Sequence, residues 1–305
     1  MTRRLIGVDV GGTKISIAAL EDGRLSEPQI TPTDVSSTEA LLAQLSALIS
    51  AAVGGHDGTT VGLGIPCVIE FATGRARYAA NLPVVDVPLR DVLTQRTGTP
   101  VLVDNDATVA ALAEACDPAG EVIHQDLAML TVGTGIGGGV ILGGRIFRGS
   151  TGAAPELGHL LIGLDLTEGA PAPGDDFPQD GSLERESAGR VLDALARERG
   201  FENGPAVVQA AQGGDETAIA AVRILGERLG IGIANVLHAY EPGVVCIGGG
   251  ASRAGDLLLE PAERVARAWT LPGVGDRTEI RLARYGPEAG VRGAALLAKM
   301  EGGPA

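Results

Sequence analysis

Apolar residues in this chain come in short runs, and most of the runs end on glycine. Leu5, Ile6, Val8 and Val10 mark a buried strand over residues 4–10, and Ile15 to Leu20 mark a second strand directly after Gly11-Gly12-Thr13-Lys14. With strands on both sides, these glycines form a hairpin turn and not a helix start. From 36 to 53 the period lengthens: Leu41, Leu45, Leu48 and Ala52 recur at helical spacing, and Ser36 with Glu39 forms a capping-box pattern. Strands are expected at 60–65 and 100–104, then a helix from Asn105 to Cys116, while Ala72–Pro88 reads as loop or short strand. A second cycle follows, with a strand over 126–132, a glycine turn at Gly133–Gly139, and a strand over 140–147 broken by Gly143-Gly144. Residues 164–182 form a polar loop. Helices at 183–199 and 215–239, a strand at 244–247 ending in Gly248-Gly249-Gly250, a helix at 253–268, a strand at 278–284 and a helix at 287–300 complete the reading.

Strand, glycine hairpin, strand and helices therefore occur twice. The class is α/β, with two lobes: a small one over 1–110 and a larger one over 111–286, the closing helix 287–300 packing back on the first. A chain of 305 residues with 45% hydrophobic residues can build two such cores. Only 3% of residues are aromatic, too few for a base-stacking platform. Acidic residues outnumber basic ones 38 to 24, and the net charge of −14 repels a polyanion, so no nucleic-acid partner is expected. Any phosphate must be held locally, by backbone amides and a few cations. Cys67, Cys116 and Cys246 are odd in number and far apart, which fits a reducing compartment. No apolar run is long enough for a signal peptide or a bilayer span, so the expected location is cytoplasmic, away from membranes.

Four features carry chemistry. In Asp9-Val10-Gly11-Gly12-Thr13-Lys14, a turn without side chains lets backbone N–H groups close on a phosphate, and Asp9 could hold Mg²⁺ through water; an ordinary tight hairpin is the competing reading. Gly133-Thr134-Gly135-Ile136-Gly137-Gly138 matches Gly-x-Gly-x-x-Gly, but the strand that follows excludes a dinucleotide fold, which needs a helix there. A second phosphate hairpin fits better. Asp104-Asn105-Asp106-Ala107 lies at a strand–helix junction, where a carboxylate can face a ligand or simply cap the helix. Glu156 and His159, three apart, suit hydrogen bonding to a polyol.

Together these stretches resemble the ROK family of bacterial sugar kinases, closest to its glucokinase branch, within the actin-like ATPase superfamily. The matching segments are Asp9–Lys14, Gly64-Ile65-Pro66, Asn81-Leu82-Pro83, Asn105-Asp106-Ala107, Gly133–Gly139, Gly152–His159 and Gly248–Gly250, with Gly290, Gly293 and Ala294 near the end. The resemblance implies a two-lobed, ribonuclease H-like fold, each lobe a mixed sheet flanked by helices, with a cleft between them. It implies ATP-dependent phosphorylation of a hexose, with glucose as the foremost candidate. Asp106 would be the general base. Asn81, Asn105, Glu156, His159 and Glu184 would bind the sugar with it. Gly11, Gly12, Thr13, Lys14, Thr134 and Gly135 would hold the phosphates, Gly249 and Gly250 the adenosine, and Asp9 would orient Mg²⁺. A homodimer is expected by the same resemblance.

Many family members hold a structural zinc with three cysteines and the histidine. Here residues 160–184 contain no cysteine, Ser182 stands at a ligand position, and no zinc site is expected. Cys67 and Pro155 replace the family's usual glycines, which puts the sugar in question more than the fold. The alternatives are another hexose or an N-acetylated hexosamine as acceptor, polyphosphate as donor, or a sugar-binding regulator without catalysis. A transcription regulator of this family would need a winged-helix segment before the first hairpin, where only eight residues precede Asp9.

Overall fold

A computed structural model describes residues 4–302. The chain enters through β1 (Leu5–Val10), turns at Gly11–Thr13 and returns in β2 (Lys14–Glu21), to which β3 (Arg24–Leu25) and β4 (Gln29–Pro32) are added. Then come α1 (Thr38–Val53), β5 (Thr60–Ile65), β6 (Val68–Glu70), β7 (Arg75–Tyr78), β8 (Val85–Val87), α2 (Leu89–Thr97), β9 (Val101–Asn105) and α3 (Asp106–Ala115). The second half holds β10 (Leu127–Val132), β11 (Ile136–Leu142), β12 (Arg145–Ile146), α4 (Leu183–Ser187), α5 (Gly189–Glu198), α6 (Gly204–Gln212), α7 (Glu216–Tyr240), β13 (Val244–Gly248), α8 (Asp256–Trp269), β14 (Glu279–Leu282) and α9 (Ala289–Met300).

These elements form two units. The first comprises the chain through Gln125, Gly139–Pro155, and everything from Pro287 on; the second comprises Asp126–Gly138 and Glu156–Gly286. α3 lies whole in the first unit, so a division at 110/111 would cut it.

In the first unit the sheet runs β3-β2-β1-β5-β9, with β1, β5 and β9 parallel. The pleat sorts its residues. Ile6, Val8, Val10, Val61, Leu63 and Ile65 join Leu41, Leu45 and Ile49 of α1 in one core. The alternate positions face α9 and α3, and there Gly7 and Gly62 let the helix backbone come close: a Cβ at Gly62 would stand 1.8 Å from the Ala294 carbonyl oxygen. This face carries Asp9. β6, β7 and β8 make a separate three-stranded antiparallel sheet.

In the second unit β10, β13 and β14 run parallel, and only Ile136–Gly138, the start of β11, belongs to it. α7 and α8 pack closely through Gly226 and Gly230, where added Cβ atoms would meet the carbonyls of Leu258 at 2.6 Å and Ala262 at 2.5 Å. Among the described residues no helix is long and apolar enough to cross a membrane.

Several local expectations differ from the structure. The cap of α1 is Ser37, whose hydroxyl accepts the Ala40 N–H, while Ser36 is held by Asp34. The segment 72–88 carries the short strands β7 and β8, as one of its two readings has it, whereas two helices, α2 and α6, are unforeseen and short. The strand after the second glycine turn begins at Ile136 and not at 140, because Gly137–Gly139 continue it. The expected helix over 183–199 is two helices, broken where Ala188 is extended (φ −75°, ψ 168°). α8 starts at Asp256, after a short 3₁₀ turn over Gly250–Ala254.

Candidate active site

β1 carries Asp9 next to its last residue, Val10, and hands over to the first glycine turn. The Gly11 N–H donates to the Lys14 carbonyl at 2.8 Å, and Thr33 braces the turn from outside: its hydroxyl donates to the Gly11 carbonyl and its N–H to the Thr13 carbonyl. None of these bonds uses the amides of Gly12 and Thr13, which therefore remain donors for a ligand. Thr13 and Lys14 are exposed, so their hydroxyl and ammonium are open to solvent. Asn81 lies beside the turn, its Cβ 3.4 Å from where a Cβ on Gly12 would stand.

The Asp9 carboxylate sits over the first turn of α9, so close that a Cβ on Gly290 would fall 2.5 Å from Oδ2. Burial, and then repulsion from Asp106, push its pKa up to about 7 against the opposing pull of Lys14. Asp106 is raised as well, mainly by burial, although its carboxylate accepts the Ala107 N–H at 2.9 Å. The first unit thus holds two buried carboxylates, with Asp9 feeling the charge of Asp106 and Lys14 opposing it.

At the β9–α3 junction the capping question resolves by residue. Asn105 is the N-cap: its Oδ1 accepts the N–H groups of Ala107 and Thr108, and its Nδ2 donates to the Cys67 carbonyl at 3.3 Å. Asp106 is the first residue of the helix and not its cap. Asn105 therefore has one amide hydrogen left for a ligand. Cys67 is a buried filler whose thiol is pushed up to about 12, first by desolvation and then by Asp106.

The second unit builds its own glycine turn at the end of β10. The Gly133 N–H donates to the Gly135 carbonyl and the Gly189 N–H to the Gly133 carbonyl at 2.7 Å, so the break between α4 and α5 clamps the turn. Glu184 reaches the same turn: its Oε2 accepts the Ile136 N–H at 2.6 Å, and a Cβ on Gly135 would meet that oxygen at 2.5 Å. Arg190 pairs with the other oxygen at 3.4 Å. The amides of Thr134 and Gly135 are left out of these bonds. Gly249, at φ 82°, lies against β10, where a Cβ would stand 2.4 Å from the Val132 carbonyl oxygen; only glycine fits. Gly250 follows at the start of the 3₁₀ turn.

Glu156 and His159 are exposed at either end of a short 3₁₀ helix, and the His159 N–H donates to the Glu156 carbonyl. The His159 ring meets Phe177 edge to face at 5.6 Å. Ser182 caps α4, its hydroxyl accepting the Arg185 N–H. Among the described residues no group of three or more His, Cys, Asp or Glu is placed to hold a metal.

The structure groups Asp9, Gly11, Gly12, Thr13, Lys14, Asn81, Asn105 and Asp106 in the first unit, and Thr134, Gly135, Glu156, His159, Glu184, Gly249 and Gly250 in the second. Sequence reasoning missed Gly290 as the floor under Asp9 and Arg190 as the partner of Glu184. It also missed Arg148, whose guanidinium pairs with Asp104 at 2.8 Å. These are long-range partners that no motif spacing carries.

The model of the ROK family matches residues 5–301. A glucokinase of Halalkalibacterium halodurans is 35% identical over 98% of this chain and 96% of its own. An N-acetyl-D-glucosamine kinase of Escherichia coli O6:H1 is also 35% identical, over 95% and 98%. The crystal structure of a Streptomyces griseus ROK family glucokinase in complex with glucose and AMPPNP superposes with a TM-score of 0.82 at 31% identity, over 97% of this chain and 99% of that one.

Proposed function

The chain belongs to the ROK family and is a sugar kinase; from that premise we propose that it transfers the terminal phosphoryl group of ATP to a hydroxyl of glucose. The glucokinase relatives support glucose as acceptor, and the neighbour solved with glucose and AMPPNP supports an adenosine triphosphate as donor.

Phosphoryl transfer asks a protein for position and charge neutralisation. In this reading the free amides of Gly12 and Thr13, with Lys14, and those of Thr134 and Gly135 hold phosphate oxygens, and Gly249 and Gly250 lie against the adenosine. Asn81, Asn105, Glu156, His159 and Glu184 bind sugar hydroxyls. Asp106 takes the proton of the attacking hydroxyl as the new phosphorus–oxygen bond forms, and the γ-phosphoryl leaves ADP behind. The single observation that carries the base assignment is that Asn105 is the N-cap, so the Asp106 carboxylate, although it accepts the Ala107 N–H, keeps acceptor capacity for a ligand. Asp9 suits Mg²⁺: a buried carboxylate that repels a second one and holds protons up to about 7 is short of positive charge. A bound Mg²⁺ would supply that charge to the phosphates. A homodimer and a cytoplasmic location belong to the same proposal. The exposed Trp269 and Leu271 at the end of α8 offer apolar surface that a dimer would cover.

The test is a coupled ADP-release assay across glucose, mannose and N-acetylglucosamine, with ATP or polyphosphate as donor, on the parent and Asp106→Asn. Glucose with ATP should give the highest kcat/KM, and Asp106→Asn should lower kcat by roughly 10²–10⁴-fold with a smaller change in sugar KM. N-acetylglucosamine as the best acceptor would replace the substrate assignment. Near-normal kcat in a folded Asp106→Asn would remove the base.

A further inference from the structure

A base must be held in position as well as present, and for Asp106 the neighbouring contacts do this. Asp104, two residues earlier, is 1% exposed, and both of its oxygens are used. Oδ1 accepts the N–H of Asn105 at 2.9 Å, and Oδ2 accepts from Arg148 Nε at 2.8 Å. The Asn105 amide held this way opens the turn in which Asn105 then caps α3 and Asp106 begins it. One carboxylate thus links Arg148 to the backbone on which Asp106 is mounted.

Arg148 is itself fixed from three sides. Its guanidinium carbon lies 3.5 Å from the centroid of the Phe71 ring, and Nη1 reaches Glu301 at the end of α9 at 3.1 Å. Its own carbonyl accepts the Ala154 N–H. Three stretches distant in sequence, at Phe71, Asp104 and Glu301, meet at one cation, whose side chain is only 15% exposed. Nη2 is buried with no partner. A surface ion pair would not accept that desolvation; a cation held in a set plane by stacking and a fork of carboxylates would.

We propose that Arg148 is a positioning residue for the phosphoryl transfer, acting through Asp104 to set the turn that aims the Asp106 carboxylate. The proposal rests on Asp106 being the base. It differs from a general stabilising role in what it moves. Loss of the link displaces the turn that carries Asp106 and, with it, Asn105, while the other groups assigned to sugar and nucleotide do not lie on that turn.

The experiment compares Arg148→Met, Arg148→Lys, Asp104→Asn and Asp106→Asn with the parent under saturating sugar and ATP. Arg148→Met keeps length and loses the fork; its kcat should fall about 10- to 100-fold, the scale of a base displaced by around 1 Å. Its KM for ATP should stay within about threefold of the parent's, and its sugar KM, which Asn105 also feels, should change less than kcat. Arg148→Lys, which can still reach Oδ2, should recover part of the lost kcat. Asp104→Asn preserves size and cuts the charged link from the other side, so it decides the matter if Arg148→Met does not fold; its kcat should fall by about tenfold. A folded Arg148→Met or Asp104→Asn with kcat within twofold of the parent overturns the proposal. So do losses that appear equally in kcat and both KM values, or a Lys variant no better than Met. Asp106→Asn separates the two levels. If it retains kcat, the base assignment itself is wrong. If it collapses while Arg148→Met and Asp104→Asn do not, only the link is.

Discussion

Replacing Asp9 with asparagine should make the ligand-free protein more stable while removing activity. A carboxylate whose pKa rises on folding binds more protons in the folded state than in the unfolded one. Between its ordinary value of 3.8 and about 7 the unfolded chain ionises first, so stability falls as pH rises through that window and the full penalty stands above it. About three pH units at about 1.4 kcal/mol each set a ceiling near 4 kcal/mol. Relaxation around the carboxylate and its coupling to Asp106 reduce this, and about 1–3 kcal/mol is the expected gain for Asp9→Asn above pH 7. The assay is urea unfolding of parent and variant, without ligand, at pH 5, 7 and 8.5. The difference should be smallest at pH 5 and should level off above pH 7. Adding Mg²⁺ with a nonhydrolysable ATP analogue should stabilise the parent and leave the variant nearly unmoved. A variant no more stable than the parent at pH 8.5, or a gain that shrinks with rising pH, would refute the buried-charge account of Asp9.

Two more outcomes follow from the same contacts. Glu184→Gln keeps an acceptor for the Ile136 N–H but loses the charge that faces Arg190, so the glycine turn should loosen, and the ATP KM should rise about 3- to 10-fold in steady-state kinetics. Gly62→Ala puts a methyl 1.8 Å from the Ala294 carbonyl oxygen, which α9 can relieve only by moving off the sheet; thermal and urea unfolding should show a loss of about 3 kcal/mol or more.

How much of this was legible in the sequence depended on the range of the interaction. The β1–β2 hairpin was readable because two apolar strands flank a glycine turn within Leu5–Glu21, so pattern and turn chemistry agree locally. The second glycine turn was readable as a turn but not in its extent, because Gly137–Gly139 look like turn residues and are in fact strand residues under close neighbours, with Gly138 against Leu157 and Gly139 against Ala107. α2 and α6 have only nine residues each, too few for a helical period to stand out. β7 and β8 carry polar and exposed residues, so alternation gives no signal there. At the site, Asp106 was legible as one member of a tripeptide with two readings, and its separation from the cap at Asn105 needed coordinates. Arg148 lies 44 residues from Asp104, and nothing in its neighbourhood marks it as a partner.

The glycine-lined face of the first sheet has a consequence for how the protein is made. α9 covers Gly7 and Gly62, floors Asp9 through Gly290 and brings Glu301 to Arg148, yet it is translated after every other element described here. While a nascent chain is growing, β1 and β5 wait on the ribosome with one face bare, whereas most of the second unit, from Glu156 to Gly286, is a continuous stretch that can fold as it emerges. The two catalytic-side carboxylates therefore come under their final constraint last, and an unfinished chain lacks the helix that holds Asp9 in place. Synthesis order thus acts as a check: kinase activity should appear only once α9 has been made and has covered its side of β1 and β5.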